Sequence, residues 1–216
     1  MNSLADFKLK LPFVIVVAHQ KGGSGKTTTC INLSVELSKL LNTTVIDADS
    51  LKQFTTFNSK RKEPLNQKHI STSEALEQHL RADDGLTIID LGGYDSDFSR
   101  AALILSDMII IPMSDSDNDI DGLGEFMSIL EKTQSVRADI KPFVLVNRVH
   151  HADKSTHNDL SAFAKDKPFE VFDTVIRNNK LHTKMIFTGE NVVEKKPTSK
   201  PAKEILSLVE EILTKA

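Results

Sequence analysis

Phe13-Val-Ile-Val-Val-Ala-His-Gln-Lys21-Gly-Gly-Ser-Gly-Lys26-Thr-Thr-Thr29 is the stretch from which the rest of the chain can be read. Five consecutive apolar residues, mostly β-branched, predict a strand buried on both faces, because no polar residue alternates with them. The run ends in a glycine-rich turn, and a helical pattern with Ile31, Leu33, Leu37, Leu40 and Leu41 follows. Glycines permit positive φ and close backbone approach. Successive N–H groups of such a turn can face inward and form an anion nest, to which the following helix adds the positive end of its dipole.

Gly25-Lys26-Thr27 completes the end of the phosphate-loop consensus GxxxxGK[ST]. In that consensus the lysine bridges β- and γ-phosphates and the hydroxyl ligates Mg²⁺. The expected nucleotide contacts are therefore Lys21, Gly22, Gly23, Ser24, Gly25, Lys26, Thr27 and Thr28, with ATP and Mg²⁺ as ligands. The first consensus glycine falls on Gln20, and a second lysine, Lys21, stands next to it.

Further short apolar runs occur at Thr44–Ile46, Leu86–Ile89, Met108–Ile111 and Phe143–Val146. Helical patterns alternate with them at Ser99–Leu105, Ile120–Gln134, Thr156–Lys165 and Ala202–Lys215. This alternation predicts an α/β fold in three layers, a mostly parallel twisted sheet with helices on both faces. Residues 1–216 read as one domain, without an internal repeat. Residues 50–85 are polar and weakly periodic, with room for one or two short helices and a short strand.

Two strands end in carboxylates. Val45-Ile46-Asp47-Ala48-Asp49 places two at the carboxyl end of a parallel strand, where such sheets put their ligands. Leu86-Thr-Ile-Ile-Asp90-Leu-Gly-Gly93 has the Walker B pattern, in which Asp90 holds Mg²⁺, commonly through a water because that ion dehydrates reluctantly. Gly92 and Gly93 would let the following loop move with nucleotide state.

The segment Lys21-Gly-Gly-Ser-Gly-Lys-Thr-Thr28 resembles the deviant Walker A box of the ParA/MinD family of P-loop ATPases, and the resemblance extends over nearly the whole chain. It implies a slow, Mg-dependent ATP hydrolase that closes two ATP molecules into a homodimer, with Lys21 reaching the partner subunit's nucleotide. It also implies that Asp49 orients the attacking water, that Asp47 supports the magnesium shell, and that Lys21 and Lys26 stabilise charge on the transferred phosphoryl group. The family's Pro-Gln after the paired aspartates is replaced here by Ser50-Leu51, and its Asp-x-Pro-Pro by the Asp-x-Gly-Gly of small plasmid-partition members. Asn147, at the end of Val144-Leu-Val-Asn-Arg148, is either the family's adenine contact or a plain turn residue.

Charge is uneven. The chain carries a net −3, yet residues 177–203 hold seven basic side chains against two acidic ones. Arg177, Lys180, Lys184, Lys195, Lys196, Lys200 and Lys203 are either a solvated surface or phosphate contacts for non-specific DNA. No recognition helix or aromatic stacking motif points to base readout. The last helical pattern includes Glu204, Glu210 and Glu211, which repel anionic lipid, so packing on the sheet is expected rather than membrane attachment. Asp115, Asp117, Asp119 and Asp121 read as solvated acids at a helix start, or as a contact for a basic tail of a partner. His150, His151, Asp153 and His157 lack a defined zinc-ligand set.

A single cysteine, Cys30, excludes an intrachain disulfide and a two-cysteine cluster motif, and reads as a buried structural residue. With 39% hydrophobic residues, no membrane-length apolar run and no signal-peptide pattern, a cytoplasmic protein is expected, and the resemblance implies that it is nucleoid-associated. The resemblance implies DNA segregation with a ParB-like centromere-binding partner. The alternatives are a MinD-like positioning ATPase at the membrane and a nucleotide-gated binding protein with negligible turnover.

Overall fold

The computed structural model describes residues 9–93, 96–114, 117–150 and 155–216, with the backbone alone for 117–121. The apolar runs form the central strands β1 (Phe13–Val17), β2 (Thr43–Asp47), β4 (Leu86–Asp90), β5 (Met108–Met113) and β6 (Lys141–Val149). Two-residue strands β3 (Gln67–Lys68), β7 (Glu170–Val171) and β8 (Ile176–Arg177) extend the sheet. The order is β3-β2-β4-β1-β5-β6-β7, with β8 also on β6, and every pairing is parallel.

Each central strand is buried on both faces, which is why its sequence does not alternate polar and apolar. Phe13, Ile15 and Val17 enter one core with Val45, Ile88, Ile110 and Leu145. Val14 and Val16 enter the other with Ile46, Ile89, Ile111 and Val146. The first core is covered by α1 (Lys26–Leu37), α2 (Gln53–Asn58), α7 (Lys180–Thr188), α8 (Val192–Lys195) and α9 (Lys200–Lys215). The second is covered by α3 (Ser73–Ala82), α4 (Asp97–Leu105), α5 (Asp117–Val136) and α6 (Thr156–Phe163). Helices on both faces of a parallel sheet make the three expected layers.

The helix ends follow local chemistry. Thr72, Ser96, Asn179, Asn191 and Ser199 each accept a backbone N–H from the first turn of the helix they precede. Pro201 lies in the first turn of α9, where its missing N–H costs no helical hydrogen bond. The helical pattern read from Ala202 therefore begins two residues later than the helix does. Ile205, Leu208, Val209, Ile212 and Leu213 of α9 are buried, each by ~1.5–3 kcal/mol more favourable than exposure. The apolar face of the last helix is thus spent on the core. No helix among the described residues is long and apolar enough to cross a membrane.

β1 lies between β4 and β5, and the chain leaves it towards opposite edges of the sheet. The crevice above its carboxyl end is the topological switch point where open α/β sheets place ligands.

Candidate functional site

The glycine-rich turn sits in that crevice. Gly23 and Gly25 have φ of 81° and 99°, the left-handed region that glycine alone enters freely. Gly25 also caps α1, so the loop runs directly onto the positive end of that helix. A Cβ at Gly25 would stand 2.1 Å from Asn147 Nδ2, which fixes glycine there on space as well as on φ. Lys26 is buried, and its Nζ donates to the Lys21 carbonyl at 2.9 Å, spanning the mouth of the loop. Thr27 and Ser24 are buried beside it. Ser24 Oγ has no hydrogen-bond partner among the described residues.

Asp90, at the end of β4, is fully buried, and neither carboxylate oxygen has a hydrogen-bond partner among the described residues. Burial pushes its pKa up to about 8, with Asp47 and Asp49 adding to the rise. The Thr27 hydroxyl lies close enough to oppose the shift without meeting hydrogen-bond geometry, and Lys26 opposes it from farther off. An orphaned buried carboxylate beside a threonine hydroxyl and a loop of amides is a hard-oxygen donor set that suits Mg²⁺ bound together with phosphate.

Asp47 and Asp49 occupy the neighbouring strand end, and their partners differ. Asp47 is buried. Its Oδ2 accepts from Thr55 N at 2.9 Å and Thr55 Oγ1 at 2.6 Å, and its Oδ1 accepts from Asp49 N at 3.2 Å. Its carboxylate thus organises the turn into α2. Asp49 is half-buried; its Oδ1 accepts from Leu51 N at 2.9 Å, and its carboxylate has no other hydrogen-bond donor among the described residues.

Lys21 lies against its own subunit. Its backbone N–H donates to His19 Nδ1 at 3.0 Å, and its side chain crosses α5 where there is no Cβ. A methyl group at Gly122 would meet Lys21 Cγ at 2.5 Å and His19 Cε1 at 2.9 Å. Gly93, in the loop after Asp90, faces the Gln20 carbonyl, 2.5 Å from where its Cβ would be, so this glycine serves a close approach to the phosphate loop. Asn147 donates from Nδ2 to the Ser24 carbonyl at 2.9 Å, placing it against the loop backbone.

The basic residues divide. Arg177 is tied to Glu204 through its guanidinium at 3.1 Å and its backbone N–H at 3.1 Å, which removes it from the set of solvated cations. Lys195 pairs with Glu190 at 2.7 Å. Lys180, Lys184, Lys196, Lys200 and Lys203 are exposed, and none of them has an ion pair among the described residues. Cys30 is buried on α1, and burial holds its thiol well above the ordinary range. His157 Nε2 meets the Phe172 carbonyl at 3.0 Å, while His151 and Asp153 lie outside the described residues. So do Asp115 and the side chains of Asp117, Asp119 and Asp121, although α5 does begin at Asp117.

Sequence reasoning passed over Thr55, His19 and Gly122. Their partners lie 8, 2 and about 100 residues away, and only the folded loops bring the last pair together.

The chain is similar to known proteins in sequence and in fold. Residues 15–192 match the family described as the CobQ/CobB/MinD/ParA nucleotide binding domain. The chain is 29% identical over 149 residues to the protein ParA of Rhizobium radiobacter, covering 66% of this chain and 67% of that one. A plasmid partition protein from Borrelia burgdorferi B31, solved bound to AMPPNP, superposes with a TM-score of 0.73 at 20% identity, over 95% of this chain and 100% of that one. Cobyrinic acid a,c-diamide synthase from Mycobacterium smegmatis, solved with ADP and magnesium, gives 0.74 at 17% identity over 93% and 94%.

Proposed function

Because the chain belongs to the CobQ/CobB/MinD/ParA nucleotide-binding family, we propose that it is a partition ATPase of the ParA type, which ATP drives into a DNA-binding homodimer. One observation carries the catalytic half of this reading: the buried, unpartnered Asp90 carboxylate beside Thr27 at the mouth of a loop with two left-handed glycines. Loop amides and the α1 N-terminus bind the phosphates. Lys26 exchanges the Lys21 carbonyl for phosphate oxygens. Thr27 and Asp90 would hold a magnesium ion, which would neutralise charge on the phosphates. Asp49, whose second carboxylate oxygen has no donor among the described residues, orients the attacking water and accepts its proton. Lys21 leaves its own α5 and stabilises the phosphoryl charge across the dimer. The reading implies slow turnover that a centromere-binding partner of the ParB kind stimulates.

DNA rather than membrane is favoured by two features. The apolar face of α9 is buried, and Glu204 and Glu211 of that helix are engaged with Arg177 and with the backbone of Asp173 and Thr174. Lys180 and Lys184 share one exposed face of α7, where Lys60 Nζ also stands 5.7 Å from the Phe187 ring.

Light scattering with Mg-ADP and Mg-ATP, followed by duplex-DNA binding at two salt concentrations, tests the proposal. Mass should double with ATP alone, and DNA affinity should appear with ATP and fall steeply with salt. An unchanged mass with ATP would overturn the dimer. ATP-dependent pelleting with anionic vesicles, without DNA binding, would favour the membrane-positioning reading.

A further inference from the structure

β6 ends in a local irregularity. Asn147 pairs with Ile176 and Val149 with Arg177, so three residues of β6 stand opposite two of β8, and Arg148 is the extra one. Such a bulge re-aims a side chain, and bulges gather next to active sites. Arg148 also has φ of 61°, and Lys52 is the other non-glycine residue with positive φ among those described. An arginine held in the left-handed region is strained unless something is gained by it.

What the bulge achieves is visible in the contacts. The Arg148 guanidinium donates from Nη1 to the Gly23 carbonyl, and the preceding side chain, Asn147, donates to the Ser24 carbonyl. Two consecutive residues of β6 therefore grip two consecutive carbonyls of the phosphate loop. In a planar trans peptide the carbonyl of one residue and the N–H of the next point in opposite directions. Drawing the Gly23 and Ser24 carbonyls towards β6 turns the N–H groups of Ser24 and Gly25 the other way, into the crevice.

We propose that Arg148 is a positioning residue for the phosphate loop, and that the strained bulge is kept because it aims this guanidinium. The ligand it serves is the β-phosphate of a nucleoside di- or triphosphate, which the inward amides cradle. The inference rests on the nucleotide reading given above and extends it to a residue that the loop motif does not contain.

The test separates stability from affinity. Arg148→Gly relieves the left-handed backbone and removes the guanidinium, and Arg148→Lys keeps a cation. Thermal midpoints and calorimetric affinities for Mg-ADP and Mg-AMPPNP are measured for both variants and the wild type. Arg148→Gly should melt no lower than wild type yet bind both nucleotides about tenfold more weakly, the loss of one charge-assisted hydrogen bond. Arg148→Lys should recover most of that affinity. Wild-type affinity in Arg148→Gly overturns the inference while leaving the nucleotide reading intact. A fall in melting temperature that parallels the fall in affinity assigns a merely structural role and also overturns it. Absence of binding by the wild type would overturn the functional reading and this inference together.

Discussion

Replacing Asp90 with asparagine removes a charge that the fold holds at a cost. The carboxyl has a pKa of about 8 in the folded protein, against an ordinary 3.8, because it is wholly buried and has no hydrogen-bond partner among the described residues. The folded state therefore binds the Asp90 proton more tightly than the unfolded chain does. The stability that comes with this proton is fully present below about pH 3.8 and is lost as pH rises through about 8. Each pH unit between these values costs the nucleotide-free wild type about 1.4 kcal/mol, so it loses about 4 kcal/mol from this group between pH 5 and pH 8. Asp90→Asn does not titrate. Its buried amide carries its own unsatisfied-donor cost, but that cost is the same at both pH values and cancels in the comparison. With a urea slope of ~2–3 kcal/mol/M, the unfolding midpoint of the variant relative to wild type should rise by roughly 1.5 M from pH 5 to pH 8. The assay is urea denaturation in chelator at the two pH values. A difference between variant and wild type that does not change with pH would refute the account of Asp90 as an unpaired buried acid. At pH 8, Mg-nucleotide should restabilise the wild type and leave the variant nearly unchanged, because only the wild type keeps the carboxylate proposed as the magnesium ligand.

The other expectations concern the loop and its surroundings. Gly25→Ala forces a methyl group to within 2.1 Å of Asn147 Nδ2 at φ 99° and should cost at least ~2 kcal/mol, lowering the melting temperature by about 5 °C or more. A variant that melts like wild type would show that the loop can relax away from β6. Lys21→Ala should leave Mg-ATP affinity within about threefold of wild type and abolish the ATP-dependent doubling of mass in light scattering, since the contribution proposed for it is to the other subunit's phosphoryl group. Doubling in that variant would exclude the role across the interface. Asp49→Ala should bind and dimerise, with phosphate release reduced by at least ~100-fold, the usual contribution of a positioned base; turnover at the wild-type rate would remove Asp49 from the mechanism.

The central strands and the phosphate loop were legible in the sequence for one reason. A strand buried on both faces is written as a continuous β-branched run, and a turn that must bind an anion is written in glycine, lysine and hydroxyl at fixed spacing. Residues 50–85 were legible only as short elements of unspecified place. α2 has six residues, and the Asp47 carboxylate on Thr55 is what anchors its start, a tertiary contact that leaves no periodic trace. The strands β3, β7 and β8 are two residues long and exist by pairing with longer neighbours. A count of charges over 177–203 could not foresee that Glu204 would take up Arg177 or that Glu190 would take up Lys195. The contact between Asn147 and the loop spans 123 residues, and the register shift that turns Arg148 towards Gly23 is a property of backbone pairing rather than of residue type.

Helix α1 is buried along 11 of its 12 residues. Asn32 accepts the Val192 N–H and Glu36 accepts from Asn191, so polar as well as apolar sides of the helix are fastened, the polar ones to the start of α8 beside it. Such a rod has nowhere to go. The part proposed to receive the triphosphate therefore behaves as an anvil, already ordered before the ligand arrives, and little of the ligand's grip is consumed in freezing it. Whatever shape change accompanies nucleotide exchange must be expressed by the rims, the turns after β2 and β4 and the lysine folded over α5. A spectroscopic reporter of the cycle belongs on those rims, and one attached at Cys30 would break the core before it reported anything.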